Sequence, residues 1–176
     1  MSQLLEQQKV IEAYPVKLPY PGAFHPNVER QIKEWIGDKQ CVHLFSGASK
    51  IGNIRVDIDN PNATNNENVY DFCSRTHLFP VYFKDIVLLL DPVYEIQRKN
   101  LKLKPYGIKE NLSGNVLAQK ILLQHIQEVG YSEVILLDIG SPKIPGYSWD
   151  YRLVKYGGWK MNRTLNHYIK ENSRLG

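Results

Sequence analysis

The sequence predicts an α/β protein, with a mostly parallel sheet that ends in an antiparallel hairpin and a reduced complement of helices. Three observations lead there. "KDIVLLLDP" and "SEVILLDIG" each carry an unbroken apolar run, the pattern of strands covered on both faces, and the helical stretch "SGNVLAQKILLQHIQEVG" lies between them. Strand, helix, strand is a parallel α/β unit, of the kind that Rossmann-like sheets repeat. Near the C-terminus, "WDYRLVKYGGWKMNRTLNHYIK" offers two alternating runs around Gly157 and Gly158, the signature of an antiparallel hairpin at a sheet edge. Finally, only eight residues, Ser46 to Asn53, join the first two strand candidates, whereas a parallel crossover ordinarily takes a dozen or more. A full helix has no room there.

Taken in order, residues 1–24 read as an N-terminal arm: a short helix around Gln3 to Ile11, then "YPVKLPYPGAF", whose prolines favour an extended path that carries little of the core. "HPNVERQIKEWIG" reads as a helix, with Pro26 in its first turn, Val28, Ile32, Trp35 and Ile36 on one stripe, and Gly37 to end it. Strands are expected at Cys41 to Phe45 and Ile54 to Asp59, then a polar loop in "DNPNATNNEN" and a buried strand at Ile86 to Leu90. The helix that follows has Ser113 as a cap, Leu117, Ile121, Leu122 and Val129 on its apolar side, and Gly130 at its close. After the last buried strand, "IGSPKIPGYSWD" leaves little scope for a helix before the hairpin.

Composition narrows the class. The 176 residues suit one ordinary domain; 43% are hydrophobic and 23% charged, which fits a globular chain rather than a disordered one. No apolar run approaches the roughly 18 residues that a membrane span needs, and "MSQLLEQQKVIEAYP" is unlike a signal peptide, so a cytoplasmic protein is expected. Cys41 and Cys73 lack metal-ligand spacing and read as buried free thiols in a reducing compartment. His25, His43, His77, His125 and His167 are scattered, giving no metal site, and no G-x-S-x-G elbow supports a serine nucleophile. A net charge of +4 matters only where it is concentrated.

The first candidate site is "CVHLFSGASKIGNIRVDID". Gly47 and Gly52 have the separation of a phosphate-binding P-loop, but Asn53 and Ile54 stand where Lys and Ser/Thr must grip phosphate and magnesium. A dinucleotide fingerprint fails too, for G-x-G-x-x-G is absent. What remains is a nucleoside held by its ribose: glycine lets the backbone approach, and an acid at the end of the next strand, Asp57 or Asp59, accepts from the ribose hydroxyls. Read as ordinary structure, such an acid is a solvated strand cap.

The second is "IVLLLDPVYE", which sets Asp91, Pro92 and Tyr94 at the C-terminal end of a buried strand, where open α/β sheets bind ligands. Together these segments resemble the class I S-adenosylmethionine-dependent methyltransferases that modify exocyclic amines of nucleic-acid bases. "VHLFSG" is similar to their cofactor loop, "VDID" to their ribose acid, "LLDPVY" to their Asp/Asn-Pro-Pro-Tyr/Phe signature, and "PYPGAFHPNVERQI" to the segment before their first helix. The resemblance covers roughly residues 19–170 and implies a single methyltransferase-like domain over 25–170, with a tail at 171–176.

What the resemblance implies for the site is specific. S-adenosylmethionine is the cofactor, with Phe45, Ser46 and Gly47 in its loop, Asp57 on its ribose, Asn68 or Asp71 on its adenine, and Phe24, with Pro26, bordering its methionine end. Asp91 and Pro92 hold the target amine and Tyr94 stacks on the base. The partner is nucleic acid, with adenine in DNA first and cytosine second; a membrane is not expected, and the oligomeric state stays open, a homodimer included. Arg98, Lys99, Lys102 and Lys104 follow the signature and are candidate phosphate contacts, the alternative being a solvated loop. A second basic and aromatic surface gathers Lys143, Lys155, Lys160 and Arg163 near Trp149 and Trp159, although hairpin aromatics usually pack on their sheet. Three departures stand out: His43 where the family usually has an acid, Val93 in place of the second proline, and the short connection. They favour, as the alternative to an enzyme, a noncatalytic nucleic-acid-binding module on the same scaffold.

Overall fold

The computed structural model describes residues 9–19, 23–58, 60–75, 85–92, 116–138, 140–156 and 162–171. Its strands are β1 (Val10–Ala13), β2 (Gln40–Leu44), β3 (Ile54–Asp57), β4 (Asn65–Asn66), β5 (Ile86–Leu90), β6 (Glu133–Asp138), β7 (Tyr147–Tyr156) and β8 (Arg163–Lys170). Its helices are α1 (Pro26–Ile36), α2 (Val69–Ser74) and α3 (Val116–Val129). All eight strands form one sheet in the order β1-β7-β8-β6-β5-β2-β3-β4. Every neighbouring pair is parallel except β6–β8 and β7–β8. The expected class, a mostly parallel sheet with a C-terminal antiparallel hairpin and few helices, is what the chain adopts.

Burial explains the central strands. In β5, Ile86, Leu88 and Leu90 face one apolar layer with Leu122 and Ile126 of α3 and Val69 and Phe72 of α2, while Val87 and Leu89 face the other with Val28, Ile32 and Ile36 of α1. All five β5 side chains are buried, each worth about 1.5–3 kcal/mol against exposure. Helix α1 begins where His25 caps it, Nδ1 accepting from the Asn27 N–H at 3.1 Å, and stops at Gly37, whose φ of 55° suits a left-handed cap. Both cysteines are free and buried, their thiols pushed up to about 12 by desolvation.

Two expectations change. The described part of the presumed N-terminal helix is strand β1, paired in parallel with β7, so β1 and not the hairpin forms that edge of the sheet. Nor is this segment marginal to the core: Ile11, Ala13 and Phe24 are buried in the α1 layer. It is fastened there by His25 Nε2, which donates to the Tyr14 carbonyl at 2.9 Å, and by Asn27 Nδ2, which donates to the Glu12 carbonyl at 2.7 Å.

The short connection does span a parallel pair without a helix, and the register shows how. Strands β2 and β3 overlap by three residue pairs, Val42–Ile54, His43–Arg55 and Leu44–Val56. The return along the sheet is therefore only about 7 Å at 3.3 Å per residue, which a loop can cover. That loop lies against the sheet, with Ile51 packed on the α1 layer, Asn53 N–H donating to the Cys41 carbonyl at 2.8 Å, and the Cys41 N–H donating back to Asn53 Oδ1 at 2.8 Å.

Candidate functional site at the carboxyl ends of β2, β3 and β5

The strand order reverses between β2 and β5: from β2 the chain builds outward through β3 and β4, then crosses to the other side for β5 and β6. Such a switch point is where open α/β sheets leave a crevice. The register is continuous across it, with Val56, Leu44 and Leu90 side by side, so the next residues, Asp57, Phe45 and Asp91, leave three adjacent strand ends at one level. Adjacent backbones there are about 4.8 Å apart.

Phe45 turns the chain sharply, its φ of 59° placing a buried non-glycine residue in the left-handed region. That conformation costs about 1–3 kcal/mol and is typical of binding and catalytic turns. Its ring meets Tyr70 edge-on at 6.0 Å. Ser46 follows, its N–H donating to the Val56 carbonyl at 3.2 Å, and its buried Oγ has no hydrogen-bond partner among the described residues. Then Gly47, at φ 50°, donates its N–H to Oδ2 of Asp57 at 2.9 Å. A Cβ at Gly47 would meet no atom of the described residues within 4 Å.

His43, the last but one residue of β2, is fully buried and stacks on Phe24, ring centroids 5.9 Å apart. Its Nδ1 lies 3.1 Å from the Ile51 carbonyl, which can only accept, so Nδ1 carries the proton and Nε2 presents a lone pair. That Nε2 is buried without a partner among the described residues. Desolvation lowers the imidazole to about 4, the Ile51 bond opposing and Arg55 reinforcing, so the ring is neutral at physiological pH.

Asp91 leaves β5 into a cluster that the sequence reading missed. Its Oδ1 is 3.6 Å from Arg163 Nη1, and only 18% of its side chain is exposed. Desolvation raises its carboxyl to about 7; Arg163 opposes the shift and Asp138, at the end of β6, adds to it. Tyr156 of β7 also feels both Asp91 and Arg163, and burial raises its hydroxyl. Pro92 is buried beside Asp91. Asp138 carried a readable signal, since it ends its apolar strand just as Asp91 does; Arg163 carried none beyond its positive charge.

The remaining candidates fall differently. Asn68 caps α2, its Oδ1 accepting from the Tyr70 N–H at 2.8 Å, and Asp71 sits exposed in the first turn of that helix. Both have the structural roles that serve as their plain alternative. Trp149 does not pack flat on the sheet: half exposed, it stacks on Tyr151 at 5.0 Å while Nε1 donates to the buried Asn166. Asp59, Tyr94, Arg98, Lys99, Lys102, Lys104, Trp159 and Lys160 lie outside the described residues.

An open groove of about 890 Å³ lies elsewhere, at the amino end of β2 between α1 and the 48–53 loop. Two of its three lysines are paired, Lys33 with Glu29 at 2.5 Å and Lys39 with Glu133 at 2.5 Å, and Lys50 also lines it. The carboxyl-end cluster, with its strained turn, orphaned polar atoms and shifted acid, is chemically the stronger site. Among the described residues no group of His, Cys, Asp or Glu is arranged to hold a metal, and no helix is long and apolar enough to cross a membrane.

No family model and no curated protein matches the chain. Among solved structures it is similar to "Putative methyltransferase yhhF from Escherichia coli", at 16% identity with a TM-score of 0.46 over 89% of this chain and 93% of that one. So loose a likeness bears on neither activity nor ligand.

Proposed function

We propose that the chain is an S-adenosylmethionine-dependent methyltransferase acting on an exocyclic amine of a nucleic-acid base, adenine in DNA before cytosine. The observation that carries this reading is the alignment of a glycine turn, the acid it binds and a second, tunable acid on three neighbouring strand ends at the switch point. These features fit the cofactor: an acid for the ribose diol beside a glycine turn, and two buried polar atoms, Ser46 Oγ and His43 Nε2, for a polar ligand to satisfy.

On this reading Asp57, which accepts from the Gly47 N–H, also accepts from the ribose hydroxyls. Phe24, with Pro26, borders the methionine end, and Asn68 or Asp71 meets the adenine. When bound, the cofactor supplies a methyl group made electrophilic by its sulfonium sulfur. An aromatic amine is a poor nucleophile because its lone pair is delocalised into the ring, so Asp91 and the Pro92 carbonyl accept its two hydrogens and favour the pyramidal geometry that attacks. Once methylated from such a donor, the amine would have a proton to lose. Asp91 with a carboxyl near 7 is suited to receive it and pass it to water. Tyr94 stacks on the base, and Arg98, Lys99, Lys102 and Lys104 meet the flanking phosphates.

One observation favours the noncatalytic alternative: Arg163 already faces the carboxylate that must accept the amine. Two measurements decide. Titration calorimetry with S-adenosylhomocysteine should give a saturable site, and labelled cofactor should transfer its methyl group to DNA in the wild type but not in Asp91→Ala. A silent titration favours the binding module, and transfer that survives Asp91→Ala removes the role given to that residue.

A further inference from the structure

We propose that Arg163, delivered by the C-terminal hairpin, is a positioning residue that aims the Asp91 carboxylate at the acceptor amine and favours its anionic form; this rests on the methyltransferase reading of the same site. The strand direction makes it so. Because β8 runs antiparallel to β6, with Thr164 opposite Asp138, its first residue Arg163 arrives where β5 and β6 end. A parallel strand in that place would reach this level with its last residues. Both partners are shielded, Arg163 at 27% and Asp91 at 18% side-chain exposure, so water screens the pair less than it would a surface bridge.

The surroundings require a cation. Of the groups that face Asp91, β6 supplies the like charge of Asp138 and β7 the hydroxyl of Tyr156. On the β2 side the residue in register is Phe45, which has no charge to offer. Desolvation and Asp138 both drive the carboxyl toward its protonated form, and Arg163 alone among these groups opposes them. A protonated carboxyl keeps its carbonyl oxygen but turns the other oxygen into a donor, so it holds an amine's hydrogens less well than the anion does. In this fold the hairpin is thus coupled to the acceptor side of the site rather than serving only to widen the sheet.

The test follows the Asp91 carboxyl carbon by NMR across pH in the intact wild type, Arg163→Gln and Arg163→Lys, alongside the pH profile of methyl transfer. Loss of the cation should raise the Asp91 midpoint by about one unit or more, and the acid limb of kcat/KM should move up with it. Arg163→Lys should restore most of both, and S-adenosylhomocysteine affinity should stay within about twofold, equivalent to roughly 0.4 kcal/mol. A midpoint unchanged in Arg163→Gln, or a rate loss uniform across pH, overturns the proposal. If the midpoint moves as expected but the wild type transfers no methyl group, the methyltransferase reading fails and the ion pair is purely structural.

Discussion

The Gly47 N–H donates to Asp57 Oδ2 over 2.9 Å, closing the turn after β2 onto the end of β3. On the proposed reading one carboxylate has two duties, shaping the turn and meeting the ribose. Asp57→Ala removes both. Since a hydrogen bond to a charged group contributes about 1.5–3 kcal/mol, S-adenosylhomocysteine should bind about ten- to a hundredfold more weakly by calorimetry. Affinity equal to the wild type would place the ribose elsewhere.

Asp91 makes stability depend on pH in a predictable sense. Its carboxyl titrates near 7 in the fold against 3.8 ordinarily. Below the ordinary value both states are protonated and the group costs nothing; between about 4 and 7 only the unfolded chain gives up its proton, so the fold loses stability as pH rises. Asp91→Asn should erase this term. Its stability relative to wild type, from urea melts, should therefore rise by on the order of 1–3 kcal/mol from pH 4 to pH 8, and a flat difference would mean that the carboxyl is not shifted.

The two glycines of the connection should respond unequally. At Gly52, with φ 98°, an added Cβ would come within 3.1 Å of His43 Cβ and 3.2 Å of the Cys41 carbonyl oxygen. At Gly47 it would meet nothing within 4 Å among the described residues, leaving there the backbone penalty of φ 50°. Thermal unfolding should show Gly47→Ala costing about 1 kcal/mol and Gly52→Ala about 2–4 kcal/mol. The reverse order would contradict the path of the loop.

Asn166 is the hub of the hairpin's inner side. It is fully buried; Nδ2 donates to the carbonyls of Leu136, Gly140 and Thr164, and Oδ1 accepts from Ser141 and from the Trp149 indole. Asn166→Asp would turn carboxylate oxygen toward those three carbonyls. Chemical denaturation should report a loss of about 3–5 kcal/mol at pH 8, easing as acid protonates the new side chain.

Much of this was legible in the sequence because the signals are local. The short apolar runs of β5 and β6, bounded by polar residues, fit strands of a doubly covered sheet, and Pro26 and Gly37 bracket α1. Asp91 could be placed at the end of its strand, whereas the strand read to Asp59 left Asp57 and Asp59 as alternatives. The connection was too short for a helix, and the three-residue overlap of β2 and β3 is how the fold accommodates it. What escaped was non-local. "VIEA" becomes a strand only because β7, from the far end of the chain, supplies its hydrogen-bonding partners, and nothing near Arg163 in sequence announces Asp91. Asn68 was ambiguous for a different reason: an asparagine that caps a helix and one that binds a purine have the same local context.

The compact β2–β3 connection also bears on how the molecule assembles. Val42 and Ile54 find each other across only a dozen residues of chain, whereas Val10 must meet Leu153. Closing the larger loop costs more chain entropy and should come later. In pulse-labelled amide exchange during refolding, β2 and β3 should gain protection first and β1 last, so that the newborn sheet grows away from the strands that carry the glycine turn and is sealed by the oldest part of the polypeptide.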